Sequence, residues 1–237
     1  MVNIDTVYQR VLALANKEQR GYITPQEFNL FANQAQMDIF EQYFYDRAQF
    51  GRVPGNNTMY ADPIDILEEK IEIFHRGQAL GDGTSNVFNT NDLNSELYRL
   101  KQVRFNNTLA NPPIGVKVEK TTHDKFMLAR NSPLTSPTLT RPIYYLRGDN
   151  IVVNPSEITE IDVNYIKKPT TVQWSGFDAG ANQLYNETNS VNFELHVSEE
   201  PNLVLNILKL AGIAMKDASL YQLGAAEEAK DIQQEKQ

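Results

Sequence analysis

The chain has 237 residues, of which 41% are apolar and 10% aromatic, enough to bury the core of one large domain. Lys and Arg number 22 against 30 Asp and Glu, a net charge of −8; such a surface does not grip nucleic acid through its phosphates, and it suits a passage through which DNA slides without adhering. The absence of cysteine excludes disulfides, zinc–thiolate sites and cysteine nucleophiles. Met1 to Leu14 lacks the basic flank and apolar run of a signal peptide. No stretch approaches the ~18 to 20 apolar residues of a membrane helix. The expectation is a soluble protein, cytoplasmic when made, with no membrane partner.

The first third reads as helix. Val7, Val11, Leu12 and Leu14 form a short apolar stripe. Thr24-Pro25-Gln26-Glu27 then supplies an N-cap, a proline at the first helical position and a capping-box carboxylate. Phe28, Phe31, Ala35 and Ile39 follow at helical spacing, with Leu30, Met37, Phe40 and Phe44 beside them, which predicts a long helix with two apolar faces. A third helix is predicted after Asp62-Pro63, through Ile64, Leu67, Ile71 and Phe74, with Gly77 as its stop.

Gly81 to Asn94 is polar and Gly/Asn-rich, and reads as a loop. The period then changes to two. Leu97 to Phe105 and Val116 to Glu119 read as strands, Thr122 to Arg130 as a short helix, and Ser132 to Pro142 as an irregular connection. Ile143-Tyr144-Tyr145-Leu146, Gly148-Asp149-Asn150 and Ile151-Val152-Val153 read as a hairpin around a tight turn. Ile158 to Ile166 forms another strand, ended by Lys168-Pro169. Gly176 to Ser190 reads as a second polar loop.

The C-terminal part is helical again. Ser198 is the expected cap, Pro201 lies in the first turn, and Val204, Ile207, Leu208, Ala211 and Met215 make one face. A last helix from Ser219 turns highly polar between Glu227 and Gln237, a stretch that calls for a partner. Helices, then strands, then helices argue α+β rather than alternating βαβ. The predicted architecture is a single domain, 1–237. Its N-terminal helices (1–78) and C-terminal helices (196–237) pack together as a bundle with a central, mostly antiparallel β-rich block (95–170) that carries one inserted helix.

Candidate sites are few. Asn16 to Glu27 has the length of an EF-hand calcium loop, with Gly21 at the sixth position and Glu27 at the twelfth, but Arg20 puts a cation at the fifth, where an oxygen ligand is required. Gly81-Asp82-Gly83-Thr84-Ser85 is Gly-rich but lacks the lysine of a phosphate cradle. His75, His123 and His196 are scattered, and no Gly-x-Ser-x-Gly elbow is present. Arg147-Gly148-Asp149 spells an adhesion tripeptide at a position where Gly and Asp serve a turn. Asn-x-Thr triplets begin at Asn56, Asn106 and Asn186 and matter for glycosylation only in a secreted chain. Adjacent aromatics, Tyr43-Phe44-Tyr45 and Tyr144-Tyr145, cannot all face one core, and serve either a subunit contact or burial on both sides of their elements. The reading assigns no catalytic, cofactor-binding or metal-binding residue.

Val7-Tyr8-Gln9-Arg10-Val11-Leu12-Ala13-Leu14-Ala15-Asn16-Lys17-Glu18-Gln19-Arg20-Gly21-Tyr22-Ile23-Thr24-Pro25-Gln26-Glu27-Phe28-Asn29 resembles the opening of a phage virion protein family found in crAss-like phages. Pro142-Ile143-Tyr144-Tyr145, Ile151 to Pro155, and Tyr165-Ile166-Lys167-Lys168-Pro169 are similar to the same group, and Leu220-Tyr221-Gln222 resembles the terminal helices of head–tail connector proteins. The resemblance implies a non-enzymatic ring protein of the neck or tail, about a dozen copies in a closed ring. Its implied partners are the portal protein and adjacent tail proteins, with DNA passing through without specific binding. A ring or hub lower in the tail is the nearest alternative. A tail-associated glycan hydrolase with paired carboxylates and a small calcium-regulated module are the rivals of other classes.

Overall fold

The computed structural model describes residues 1–17, 23–50, 61–81, 85–107, 114–179 and 182–214. In chain order the elements are α1 (Ile4–Lys17), α2 (Pro25–Phe50), α3 (Ala61–Glu72), β1 (His75–Leu80), β2 (Val87–Asn89), β3 (Leu97–Asn107), β4 (Ile114–Lys120), α4 (His123–Asn131), β5 (Ile143–Arg147), β6 (Asn150–Asn154), β7 (Ile161–Lys167), β8 (Gly176–Ala179), β9 (Asn182–Tyr185) and α5 (Glu200–Ala214). The class is α+β, with helices towards both ends of the chain and a large sheet in its middle. Two compact units result: Met1–Ile73 with Pro169–Gln237, and Phe74–Lys168.

The first unit is helical and joins both ends of the described chain. Asn3 starts α1 by accepting the amides of Asp5 (2.8 Å) and Thr6 (3.2 Å). The predicted capping box starts α2: Thr24 Oγ1 accepts from the Glu27 amide at 3.3 Å, and the Glu27 carboxylate accepts from the Thr24 amide at 3.0 Å. Val7 and Val11 of α1, Phe28, Ala35 and Ile39 of α2, and Leu203 and Ile207 of α5 are buried. Each large side chain so buried contributes about 1.5–3 kcal/mol. α5 packs against both α1 and α2, as expected of helices that cannot cover their apolar faces alone.

The second unit is a seven-stranded sheet in the order β1-β7-β3-β4-β5-β6-β2. Among the described strands only β4 and β5 pair in parallel, and the crossover that a parallel pair requires contains α4. Leu80 on one edge strand and Phe88 on the other belong to the same buried cluster, together with Val103, Val118, Ile151, Val163 and Tyr165. Two edges of one sheet share a core only if the sheet curls round it.

Several expectations need correction. Gly77 does not stop a helix: α3 ends at Glu72, and Gly77 sits in β1, where Gln78 faces Val163 and Leu80 faces Ile161. His-Arg-Gly-Gln-Ala-Leu carries one buried residue, so its strand character comes from pairing with β7 and leaves little periodic trace. The loop from Gly81 to Asn94 contains β2, and the one from Gly176 to Ser190 contains the β8–β9 hairpin. Ile158 is core, but β7 begins only at Ile161. Ser198 is not the cap of α5; it lies inside a 3-10 turn, Val197–Glu199, capped by His196, and α5 follows at Glu200 with Pro201 in its first turn. The helix expected from Ser219 and the polar stretch Glu227 to Gln237 lie outside the described residues.

Candidate functional site

Within the helical unit, α2 presents a row of amides to an extended segment of chain. Asn29 Nδ2 donates to the Trp174 carbonyl (3.1 Å), and Asn29 Oδ1 accepts from the Trp174 amide (2.7 Å). One turn on, Asn33 makes the same pair of bonds to Val172, at 2.9 and 2.8 Å. Gln36 continues the row: its Nε2 donates to the Thr170 carbonyl (2.9 Å) and its Oε1 accepts from the Glu194 amide (3.3 Å). The Glu194 carboxylate closes the array by accepting from the Thr170 amide at 3.0 Å. Spacings of four and three place the three amides on one helix face, and alternate residues of an extended strand point their backbone groups the same way. The helix therefore acts as a neighbouring strand along one edge of Thr170–Trp174, while Gln173 on the other edge exchanges backbone hydrogen bonds with Val191.

Of the second apolar set expected on α2, Phe40 is fully buried and Met37 and Phe44 are half-buried, while Leu30 is 71% exposed; Asn29, Asn33 and Gln36 add a polar, packed row that was not expected. Trp174, held at the end of this array, donates from Nε1 to Asp5 (2.9 Å) and stacks on Tyr8 at 4.5 Å. Beside the array, Lys70 Nζ lies 2.6 Å from Glu199, with side-chain exposures of 15% and 4%, and 5.7 Å from the centre of the Tyr43 ring. Glu199 also accepts from Asn202 at 2.9 Å. The pair ties α3 to the turn before α5. An open groove of about 440 Å³ runs between α1 and α5, lined by Ala13, Leu14, Pro201, Val204 and Leu205, with Arg10 at its edge bonded to Glu200 at 2.8 Å.

In the β unit, the face of β7, β3 and β4 that points away from the core is cationic and polar. Pairing sets Gln102 beside Asn164, Arg104 beside Asp162 and, on its other side, Arg104 beside Lys117. Arg99, Lys101, Arg104 and Lys117 are exposed. A shallow pocket of about 340 Å³ on this unit is lined by His75, Arg76, Gly77, Lys101, Gln102, Asn164 and Tyr165. Phe74 to Lys168 carries 12 Lys and Arg against 9 Asp and Glu, a balance of +3; this leaves 10 of 22 basic and 21 of 30 acidic residues to the helical unit, a balance of −11. The mean charge of the chain concealed this partition.

The sequence-derived candidates resolve into local roles. Glu27 accepts from the backbone amide and the hydroxyl of Thr24, bonds that hold its carboxyl below the ordinary carboxylate range; Glu18 to Tyr22 of the calcium-loop candidate lie outside the described residues. Gly81, at φ +143°, runs against the backbone of Thr159 and Glu160, while Asp82–Thr84 lie outside the described residues. His75 lies in β1, His123 opens α4 with its ring 5.1 Å from Tyr145, and His196 accepts the Ser198 amide at 3.2 Å. The Arg147-Gly148-Asp149 triplet forms the β5–β6 turn, with Gly148 at φ +58° and the Asp149 carbonyl accepting from the Thr90 amide at 2.8 Å. Asn106 donates to Asp162 (2.7 Å), Asn186 caps a 3-10 turn, and Asn56 lies outside the described residues.

The aromatic runs are mostly buried within the chain. Tyr144 faces the sheet core, and burial raises its phenol above the usual range; Tyr145 points the other way, under Phe126 of α4 at 4.5 Å. Tyr43 is buried, Phe44 half-buried against Phe40 at 5.1 Å, and Tyr45 is 62% exposed. Among the described residues, no three His, Cys, Asp or Glu side chains are grouped to hold a metal ion, and no helix is long and apolar enough to cross a membrane. No family model matches the sequence, and no curated protein is significantly similar to it.

Proposed function

We propose that the chain is a structural subunit of a tailed-phage particle, a ring-forming head–tail connector or adaptor that extends the DNA channel below the portal. The observation that supports this reading is the division of charge: a β unit at +3 and a helical unit at −11 in one polypeptide. A chain with surfaces of opposite sign is suited to head-to-tail association of identical copies, the interface type from which closed rings are built. A subunit at −8, repeated about a dozen times, makes a ring negative enough to keep DNA moving past it. The resemblance of Val7 to Asn29 to phage virion proteins points to the same particle. In this reading the protein carries out no chemistry and uses no cofactor.

The test is native mass spectrometry of the protein with and without the portal protein of the same genome. A portal ring that gains about a dozen copies is the expected result. No binding would remove the chain from the portal-proximal position and direct the search to a ring or hub lower in the tail.

A further inference from the structure

Two surfaces break the local rules of charge placement in opposite senses. On the sheet, Arg104 and Lys117 are directly opposed across β3 and β4, and like charges so placed destabilise a sheet. Exposed Arg99 and Lys101 extend the same sign along β3, beside the neutral Gln102 and Asn164; Asp162, opposite Arg104, and exposed Glu119 on β4 offset part of it and leave the face net positive. On α3, Asp65, Glu68, Glu69 and Glu72 are all exposed at i, i+3, i+4 and i+7, which stacks two like-charged i,i+4 pairs on one stripe. Glu68 is met by Arg47 at 2.6 Å, which leaves the stripe net negative.

We infer that the cationic face of β3 and β4 is the docking surface for a second copy of this chain, which presents the acidic stripe of its α3. The two surfaces carry opposite net charge, and the contact relieves both repulsions at once. The contact is heterologous, so a pair of copies still keeps one surface of each kind free and further copies add in one direction, the interface type from which closed rings are built. The inference rests on the assembly part of the proposed function and not on a place beside the portal.

Sedimentation at low salt tests it with three proteins: the wild type, R104E/K117E and E69K/E72K. The wild type is expected to self-associate, with an affinity that falls steeply between low and high salt. Each variant alone should weaken that association by about tenfold or more. Mixed in equal amounts, the two variants should associate again, starting with a 1:1 pair, because each keeps the surface that the other has lost and the two reversed surfaces are also of opposite charge; the same result shows that both are folded. A wild type that stays monomeric at low salt, variants that associate as the wild type does, or a mixture that gives no dimer would overturn the inference. So would retention of the wild type on double-stranded DNA that R104E/K117E abolishes, since the face would then serve nucleic acid. Portal rings that fill equally with all three proteins would remove this interface and leave the connector reading intact; self-association without portal binding would do the reverse.

Discussion

The two units solve the same problem, an extended backbone that needs hydrogen bonds, in different ways. In the β unit, strands satisfy strands: β3 pairs with β4 on one side and β7 on the other. In the helical unit, Thr170 to Trp174 has no strand along this edge, and Asn29, Asn33 and Gln36 of α2 supply donors and acceptors in its place. A ladder of backbone bonds tolerates most side-chain changes, whereas a ladder of side chains depends on each residue. The helical unit is therefore expected to be the more sensitive to polar substitution, and the β unit to substitutions that change volume or backbone conformation.

The largest expected effect is in the apolar centre of the helical unit. Phe28→Ala removes a fully buried ring 4.7 Å from Tyr8 and should cost about 3–5 kcal/mol by chemical denaturation. Lys70→Met comes next: it strands the Glu199 carboxylate in its buried setting, at about 3 kcal/mol. Asn33→Ala leaves the Val172 amide and carbonyl unpaired and should cost about 2 kcal/mol, with faster amide exchange confined to 170–174. An unchanged exchange pattern would show that the amide row does not hold the segment. In the β unit, Gly81→Ala should cost more than about 1 kcal/mol, since φ +143° and the nearby Thr159 carbonyl both disfavour a Cβ.

The smallest effects distinguish the units by pH. Glu27 has a lowered folded pKa, so its contribution is present at neutral pH and disappears as pH falls from the unfolded value through the folded one; thermal melts of Glu27→Gln should show a weaker acid dependence than the wild type. Tyr144 has a raised folded pKa, so its contribution is complete below the unfolded value near 10.0 and is lost as pH rises from there; Tyr144→Phe should flatten that alkaline loss. Alkaline melts that change equally in Tyr144→Phe and an exposed-tyrosine control, Tyr45→Phe, would remove the assignment.

Elements were legible where local chemistry is self-sufficient. The Thr24–Glu27 capping box and the Gly148-Asp149 turn need only their own neighbours, so both were readable before any fold was known. The same is true of Tyr144 and Tyr145, whose opposite facing follows from the two-residue period of a strand. By contrast β1 was taken for the end of a helix, because its residues carry no alternation and become a strand only against β7. The β8–β9 hairpin was hidden in a polar stretch for the same reason. Asn29, Asn33 and Gln36 drew no reading, since nothing near them in sequence announces a segment some 140 residues away; the spacing of four and three was the available signal, without a visible partner.

By itself the sequence determined the α+β class, helices towards both ends, the β5–β6 hairpin and the Thr24–Glu27 capping box, because each follows from the period and chemistry of a few consecutive residues. Only the tertiary structure decided which residues share a unit, and with that the separation of charge into +3 and −11, the pairing of Arg104 with Lys117, and the amide row of α2. These are properties of long-range contact, and a one-dimensional pattern averages over them.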